Sequence, residues 1–318
     1  MMNRRSFLGA GSLALLAAGC QTTPDSDLVA TPAKRRPADL YTFGKVPFKF
    51  GFAGYTFNKF KTERTLELVQ AMDVHYLCIK DFHLPIKSTQ AEIDIFKQQC
   101  ADHGITGYGV GPIYMDAAKP DFVKEAFDYA ARIGVKTVVG VPFEMREVDG
   151  KKVRYESRAL CEKLSAMCDE YKVNYAIHNH GPDIPYLFPN AESAIAQIKD
   201  LSPRMGLCLD IGHQFRDGKD PVAAIRKFHK RLFDMHIKNV AFDPKKNLAR
   251  PMPRGEMDLC AVVRALCDVG YTGCCSLEYE HFPMVGDGKS KKLDEAQFLQ
   301  EVAESVGYFR AVMDCARS

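Results

Sequence analysis

Four short stretches concentrate residues able to bind a metal ion and move protons. Val173–Gly181 reads V-N-Y-A-I-H-N-H-G, with Tyr175 and Ile177 alternating against Ala176, His178 and His180. A two-residue period puts both histidines on one face at the end of a short strand, just before Gly181-Pro182. The same alternation places Asp210 on the polar face of Met205–Asp210, and Asp234, His236 and Lys238 on that of Leu232–Lys238. It places Ser276, Glu278 and Glu280 together in Cys274–Glu280. Lys80 ends a fifth stretch, opposite Leu77 and Ile79. His178, Asp210, His236 and Glu278 then form a mixed nitrogen–oxygen set suited to a divalent cation. An inward histidine by itself is more often a hydrogen-bonded core residue. Two carboxylates buried together without a cation are costly, and that favours a metal site.

These residues require a frame that brings strand ends together. Apolar strand-like runs occur at 48–55, 74–80, 106–113, 137–142, 173–178, 205–210, 232–238 and 273–278. Helix-like segments lie between them, near 63–72, 90–103, 119–133, 157–171, 191–199, 221–229 and 258–269, with a last one over 294–315. Glycines at 104, 134 and 270 mark helix-to-strand turns. Eight strands each followed by a helix predict a single-domain α/β protein of the (β/α)8 TIM-barrel class over residues 47–318. A doubly wound open sheet is the alternative, but no G-x-G-x-x-G follows the first strand. The inward polar residues all come late in their strands, at the barrel mouth.

With 46% hydrophobic and 26% charged residues and a net charge of +3, the composition is that of a folded protein without a nucleic-acid footprint. The first twenty residues are set apart. Asn3-Arg-Arg-Ser-Phe-Leu8 resembles a twin-arginine export signal, followed by a short apolar run and a lipoprotein-like box ending at Cys20. Residues 21–46 read as a flexible linker carrying the Lys34-Arg-Arg-Pro37 cluster. The expected location is therefore outside the cytoplasm, periplasmic or held at the membrane through lipidated Cys20. Ten cysteines follow Cys20 with no C-x-x-C pair, and most sit in apolar patterns as buried thiols.

In order and spacing, Ala176-Ile-His-Asn-His-Gly181, Leu209-Asp-Ile-Gly-His213, Asp234-Met-His-Ile-Lys238 and Ser276-Leu-Glu-Tyr-Glu280 resemble the sugar phosphate isomerase/epimerase family of xylose isomerase-like barrels. The resemblance covers about residues 47–315. It implies metal ligation at Asp210, His236 and Glu278, with His213 near substrate. Lys80-Asp-Phe-His-Leu-Pro85 resembles a subgroup of that family. The metal would be Mn, Co, Mg or Zn, and the substrate a small sugar or sugar derivative. One departure matters: where many members carry a glutamate, this chain has His178. Only Glu278 survives of the paired bases that epimerases use, which leaves room for one-base chemistry. The expected reaction is proton abstraction next to a carbonyl through a metal-stabilised enediolate. Glu278 is the first choice of base and His180 the second. Lys80 and Lys238 are placed to stabilise developing negative charge, unless each is paired with an inward carboxylate. His83, His213, Glu280 and Arg254 are expected to contact substrate. A lyase or dehydratase acting on a keto sugar or 3-keto-glycoside is the alternative, and a non-catalytic sugar-binding lipoprotein the second.

Overall fold

The computed structural model describes residues 46–243, 248–286 and 291–316. The export signal, Cys20, nearly all of the linker and Lys245-Lys246 lie outside these residues.

Eight parallel strands close into a barrel. They are β1 (Lys49–Ala53), β2 (Tyr76–Ile79), β3 (Thr106–Asp116), β4 (Thr137–Val148), β6 (Asn174–His178), β7 (Met205–Asp210), β8 (Leu232–Ile237) and β11 (Cys274–Leu277). Each pairs with its neighbour in chain order, β4 with β6 and β8 with β11, and β11 returns to β1. The helices pack outside. Their starts are set by short polar caps: Thr89 and Glu92 form a reciprocal capping box on α2 (Gln90–Asp102), while Asp258 caps α8 (Leu259–Asp268). Gly134 ends α3 (Pro120–Ile133) in the left-handed conformation that glycine tolerates best. Among the described residues no helix is long and apolar enough to cross a membrane.

Two features go beyond the sequence-based expectation. β4 continues past the barrel rim to Val148, turns at Asp149-Gly150, and returns as β5 (Lys151–Glu156). Both turn residues have positive φ, 49° and 71°, as a tight hairpin turn demands. A short helix, α6 (Ile211–Arg216), also starts directly on the last residue of β7.

The barrel interior is filled in tiers. Cys78, Val139, Ala176 and Cys208 form an apolar layer against Tyr108. In the same interior the Tyr108 hydroxyl lies 3.0 Å from the Asp234 carboxylate and 2.6 Å from Ser276 Oγ. Burial raises the Asp234 carboxyl to about 6. Cys78, Cys100, Cys161, Cys168, Cys208, Cys274 and Cys275 are buried thiols, while Cys260 and Cys267 are half-buried.

Close backbone approach dictates Gly206. A Cβ there would fall 2.3 Å from the carbonyl oxygen of Arg231, whose guanidinium is itself tied to the Ser202 and Met205 carbonyls. Gly206→Ala is expected to lower stability by about 2 kcal/mol or more through overpacking. Gly307→Ala, on α9 (Glu295–Cys315) with open space around it, is expected to raise stability by about 0.5–1 kcal/mol. Chemical denaturation of both variants checks the pair.

Candidate metal centre

The four residues of the mixed set end four successive barrel strands. His178 closes β6, Asp210 closes β7, His236 is the penultimate residue of β8, and Glu278 follows β11 by one residue. The backbone N–H of Glu278 donates to Ile237, which carries the parallel ladder one residue further. His178 Nε2 lies 3.0 Å from His236 Nδ1, 3.6 Å from Asp210 Oδ2 and 3.9 Å from Glu278 Oε2. His236 Nδ1 lies 3.2 Å from Glu278 Oε2. One donor atom from each of the four lies within 4.8 Å of all the others, and all four side chains are buried.

The Asp210 carboxylate is held by the start of α6. Its Oδ1 accepts the His213 N–H at 2.8 Å, an N-cap that fixes the side chain while leaving Oδ2 turned to the cluster. The buried Asn179 side chain exchanges two hydrogen bonds with the Asp210 backbone and pins the end of β7.

Lys238 stands among these groups, fully buried. Its Nζ is 2.8 Å from Asp210 Oδ2 and 3.0 Å from Glu278 Oε2, and it also meets Glu280 closely. Three carboxylates thus share one ammonium. Burial by itself would lower Lys238, yet the three carboxylates hold it well above its ordinary value. Burial raises Asp210 and Glu280 despite Lys238. Burial opposes the charged form of His236, but Glu278 and its neighbours raise it to about 8. Burial thus raises the two carboxyls, while the surrounding carboxylates raise the two cations. Glu278 goes the other way. Burial would raise it, but Lys238 and His236 beside it hold it well below the usual carboxylate range, so it is ionised.

The remaining imidazoles are neutral. Burial lowers His178 strongly and His180 to about 3. His213 is lowered by burial and by Lys238, whose Nζ is 3.3 Å from Nε2, while Arg216 reaches Nδ1 at 3.2 Å. Neutral imidazoles are the form that ligates metals. Asp210 Oδ2, His178 Nδ1, His180 Nδ1 and His236 Nε2 are buried with no aligned hydrogen bond among the described residues. Lys238 meets Asp210 Oδ2 as an ion pair only. Three carboxylates around one ammonium, the neutral His178 imidazole and the Asp210 Oδ2 turned to the cluster together fit a divalent cation.

The other sequence-predicted residues are scattered by comparison. Glu280, Lys238, His180 and His213 join the cluster. Lys80 pairs with Asp81 instead, although its charge still reaches His178. The structure does not bring His83 or Arg254 to the cluster. His83 Nε2 is 3.1 Å from Thr65 Oγ1 and 3.3 Å from the Phe57 carbonyl, and burial lowers it to about 4, so it ties elements outside the barrel. Arg254 is drawn onto Glu304 of α9.

Sequence reasoning missed three rim residues. Tyr114 Oη is 2.5 Å from His180 Nε2. Arg154, on β5, lies 5.0 Å from the Tyr114 ring and 5.2 Å from that of Phe143. Tyr55 meets Phe82 and Phe282, each with ring centroids 6.5 Å away, and burial together with Glu280 and Glu278 raises its phenol. A register shift between Val110 and Ile113 breaks the alternation that would have phased Tyr114. Arg154 needed the β4–β5 hairpin to be seen first.

Among solved structures the chain is similar to D-psicose 3-epimerase with D-tagatose from Clostridium cellulolyticum H10, at 18% identity and a TM-score of 0.64, covering 84% of this chain and 100% of that one. It is similar to a xylose isomerase-like TIM barrel protein from Mycobacterium smegmatis in complex with magnesium, at 18% identity and a TM-score of 0.62, covering 85% and 98%. L-ribulose 3-epimerase is also similar, at 15% identity and a TM-score of 0.62, covering 85% and 96%. At these identities the likeness is one of fold. No curated protein sequence matches. The model of the xylose isomerase-like TIM barrel family matches residues 66–302, about three quarters of the chain, and the protein belongs to that family.

Proposed function

We propose that this protein is a divalent-metal-dependent sugar isomerase or epimerase, and that a single carboxylate base, Glu278, removes a proton next to a sugar carbonyl. The observation that carries the reading is the donor cluster itself: one atom each from His178, Asp210, His236 and Glu278 within 4.8 Å of one another, beside three carboxylates that share one ammonium. Similar folds in structures of sugar epimerases support the substrate class. His178, Asp210, His236 and Glu278 would hold the metal, which when bound polarises a substrate oxygen and stabilises negative charge developing beside it.

The chain's own groups do the rest. Glu278 is ionised and ready to accept a proton. Lys238 holds it in place at 3.0 Å and offers positive charge where an oxyanion would form. His180 is neutral. With the Tyr114 hydroxyl donating to Nε2, its single N–H sits on the orphaned Nδ1 and can donate to a substrate oxygen. Because the group at 178 is an imidazole, no second carboxylate faces Glu278 from β6.

The His180–Tyr114 pair favours one further reading, a lyase. A phenol behind a neutral imidazole can deliver a proton to a leaving oxygen, which elimination from a keto sugar or 3-keto-glycoside requires. Export and lipidation at Cys20 would place either enzyme at the cell envelope.

Solvent-deuterium exchange into candidate ketoses tests the proposal. Glu278→Gln is expected to reduce exchange by about 10²–10⁴-fold with the thermal transition retained, and chelation is expected to abolish it. Exchange that survives both treatments overturns the proposal, and release of an aglycone selects the lyase.

Protein stability supplies a second test. His236 is raised above its ordinary value to about 8, so its contribution is complete below about pH 6.5 and is lost as the pH climbs through 8, roughly 2 kcal/mol in all. His178, His180 and His213 are lowered, so their contributions are complete above about pH 6.5 and are lost on acidification. Chelated protein should therefore melt highest near pH 6.5. Added Mn²⁺ should remove the alkaline loss, because ligation requires His236 without its extra proton. A pH series of thermal melts with and without Mn²⁺ measures both limbs.

A further inference from the structure

Around His236 the barrel interior carries a second donor group that the proposed function does not use. Cys78 Sγ, an Asp234 carboxylate oxygen and a ring nitrogen of His236 lie within 4.8 Å of one another, all fully buried. Cys208 Sγ stands beside them, 3.7 Å from Asp234 Oδ2. The two nitrogens of His236 divide between two surroundings. Nδ1 meets His178 and Glu278, while Nε2 is buried and has no hydrogen-bond partner among the described residues.

The two groups differ in chemical softness. The set used above offers two imidazoles and two carboxylates, which suits magnesium- and manganese-type ions. The second keeps only His236 of those four and adds a thiolate and a different carboxylate. Sulfur ligation selects zinc, cadmium and cuprous copper over magnesium and manganese. His236 belongs to both sets, and an ion held on one ring nitrogen leaves the ring's remaining proton on the other, so the imidazole cannot serve both sets at once.

We propose that Cys78, Asp234 and His236 form a thiophilic metal site in the barrel interior. It binds zinc- or cadmium-type ions, and its occupation withdraws His236 from the His178–Asp210–Glu278 set. On binding, the Cys78 S–H bond breaks, its proton leaves to solvent, and a metal–sulfur bond forms without any change of oxidation state. Tyr108 and Ser276, which hydrogen-bond with Asp234 or with one another, keep that carboxylate oriented in the absence of an ion. The site therefore discriminates between metals: hard ions stay with the carboxylates, and soft ions move to the thiol.

X-ray absorption at the zinc edge of full-length chelator-stripped protein reloaded with one equivalent of Zn²⁺ tests this without any substitution. A sulfur scatterer at about 2.3 Å is expected. A shell of nitrogen and oxygen alone overturns the thiophilic site, and leaves the metal reading of the first set standing. The assignment to Cys78 is tested with Cd²⁺, whose bond to thiolate absorbs in the ultraviolet. The band is expected in the wild-type protein and in Cys315→Ser, and is expected to be lost in Cys78→Ala. A band that survives in a Cys78→Ala protein with wild-type near-ultraviolet circular dichroism overturns the assignment. If Cys78→Ala fails to fold, Cys78→Ser is read in the same way, because an alcohol gives no thiolate band. Mn²⁺ affinity, read by electron paramagnetic resonance, is expected to be unchanged by Cys78→Ala and weakened by prior Cd²⁺ loading. Mn²⁺ binding that is indifferent to Cd²⁺ overturns the sharing of His236.

Discussion

A single buried ammonium surrounded by three carboxylates governs the mouth of this barrel. Lys238 is buried, and its charge is held by Asp210, Glu278 and Glu280. An ion pair in such a place is weak evidence of stability, because desolvation cancels most of the Coulomb gain, but removing the ammonium would leave the buried carboxylates uncompensated. The surrounding structure is consistent with that constraint. Asp210 starts α6 and is fixed by its cap. Gly212 lacks the Cβ that would fall 2.6 Å from the Lys238 stem. Burial and the adjacent Lys238 keep His213 neutral, and Arg216 reaches its other ring nitrogen. An incoming dication would correct the charge imbalance while repelling Lys238, so on the proposed reading the same ammonium that organises the carboxylates would also set how strongly a metal is held.

Precision of this kind needs a rigid base, and the barrel supplies it in layers. The strands are locked by parallel ladders, and the interior carries both an apolar tier and the Tyr108–Asp234–Ser276 group. Functional side chains emerge at the last residue or two of each strand, where the backbone is still held by its neighbours but the side chains already face the opening. The β4–β5 hairpin then builds a wall on one side. Glu156 accepts from the Phe188 N–H and from Gln197, and the Tyr155 ring stacks on Tyr186, so the hairpin is fastened to the loop after β6. Arg154 is presented toward Tyr114 by that attachment.

Most of this frame was legible in the sequence because a parallel barrel writes its strands as apolar runs with polar residues at one end. Val138, Val139 and Val141 on β4 need burial on both faces, and only a strand between helices and core provides it. Helix limits were legible from short polar caps such as Asp258 and Thr89. The candidate cluster was legible because strict alternation holds in β6, in β8 and at the end of β11. It failed where the backbone breaks period, as at the irregularity before Tyr114. It failed also where a polar residue finds its partner far along the chain. Nothing near His83 announces that the Phe57 carbonyl and Thr65 will take its imidazole, and nothing near Arg254 announces Glu304. The hairpin turn Asp149-Gly150 was in plain view, but its strands have no inward apolar face to mark them.

The residue at position 178 ties the charge argument to the proposed chemistry. With an imidazole there, three carboxylates face one ammonium, and a single dication brings the buried set to neutrality. A glutamate in the same place would leave one negative charge in excess and would set a second base against Glu278. The imidazole removes both at once. It keeps a donor atom in the set, 3.6 Å from Asp210 and 3.9 Å from Glu278, and gives up a proton acceptor. Stereochemical inversion by two opposed bases needs that acceptor, whereas isomerisation or elimination needs only one base and a donor. The neutral His180–Tyr114 pair supplies such a donor. On the proposed reading, the imidazole at 178 therefore adjusts the electrostatics of the centre and narrows its chemistry to reactions that start from Glu278.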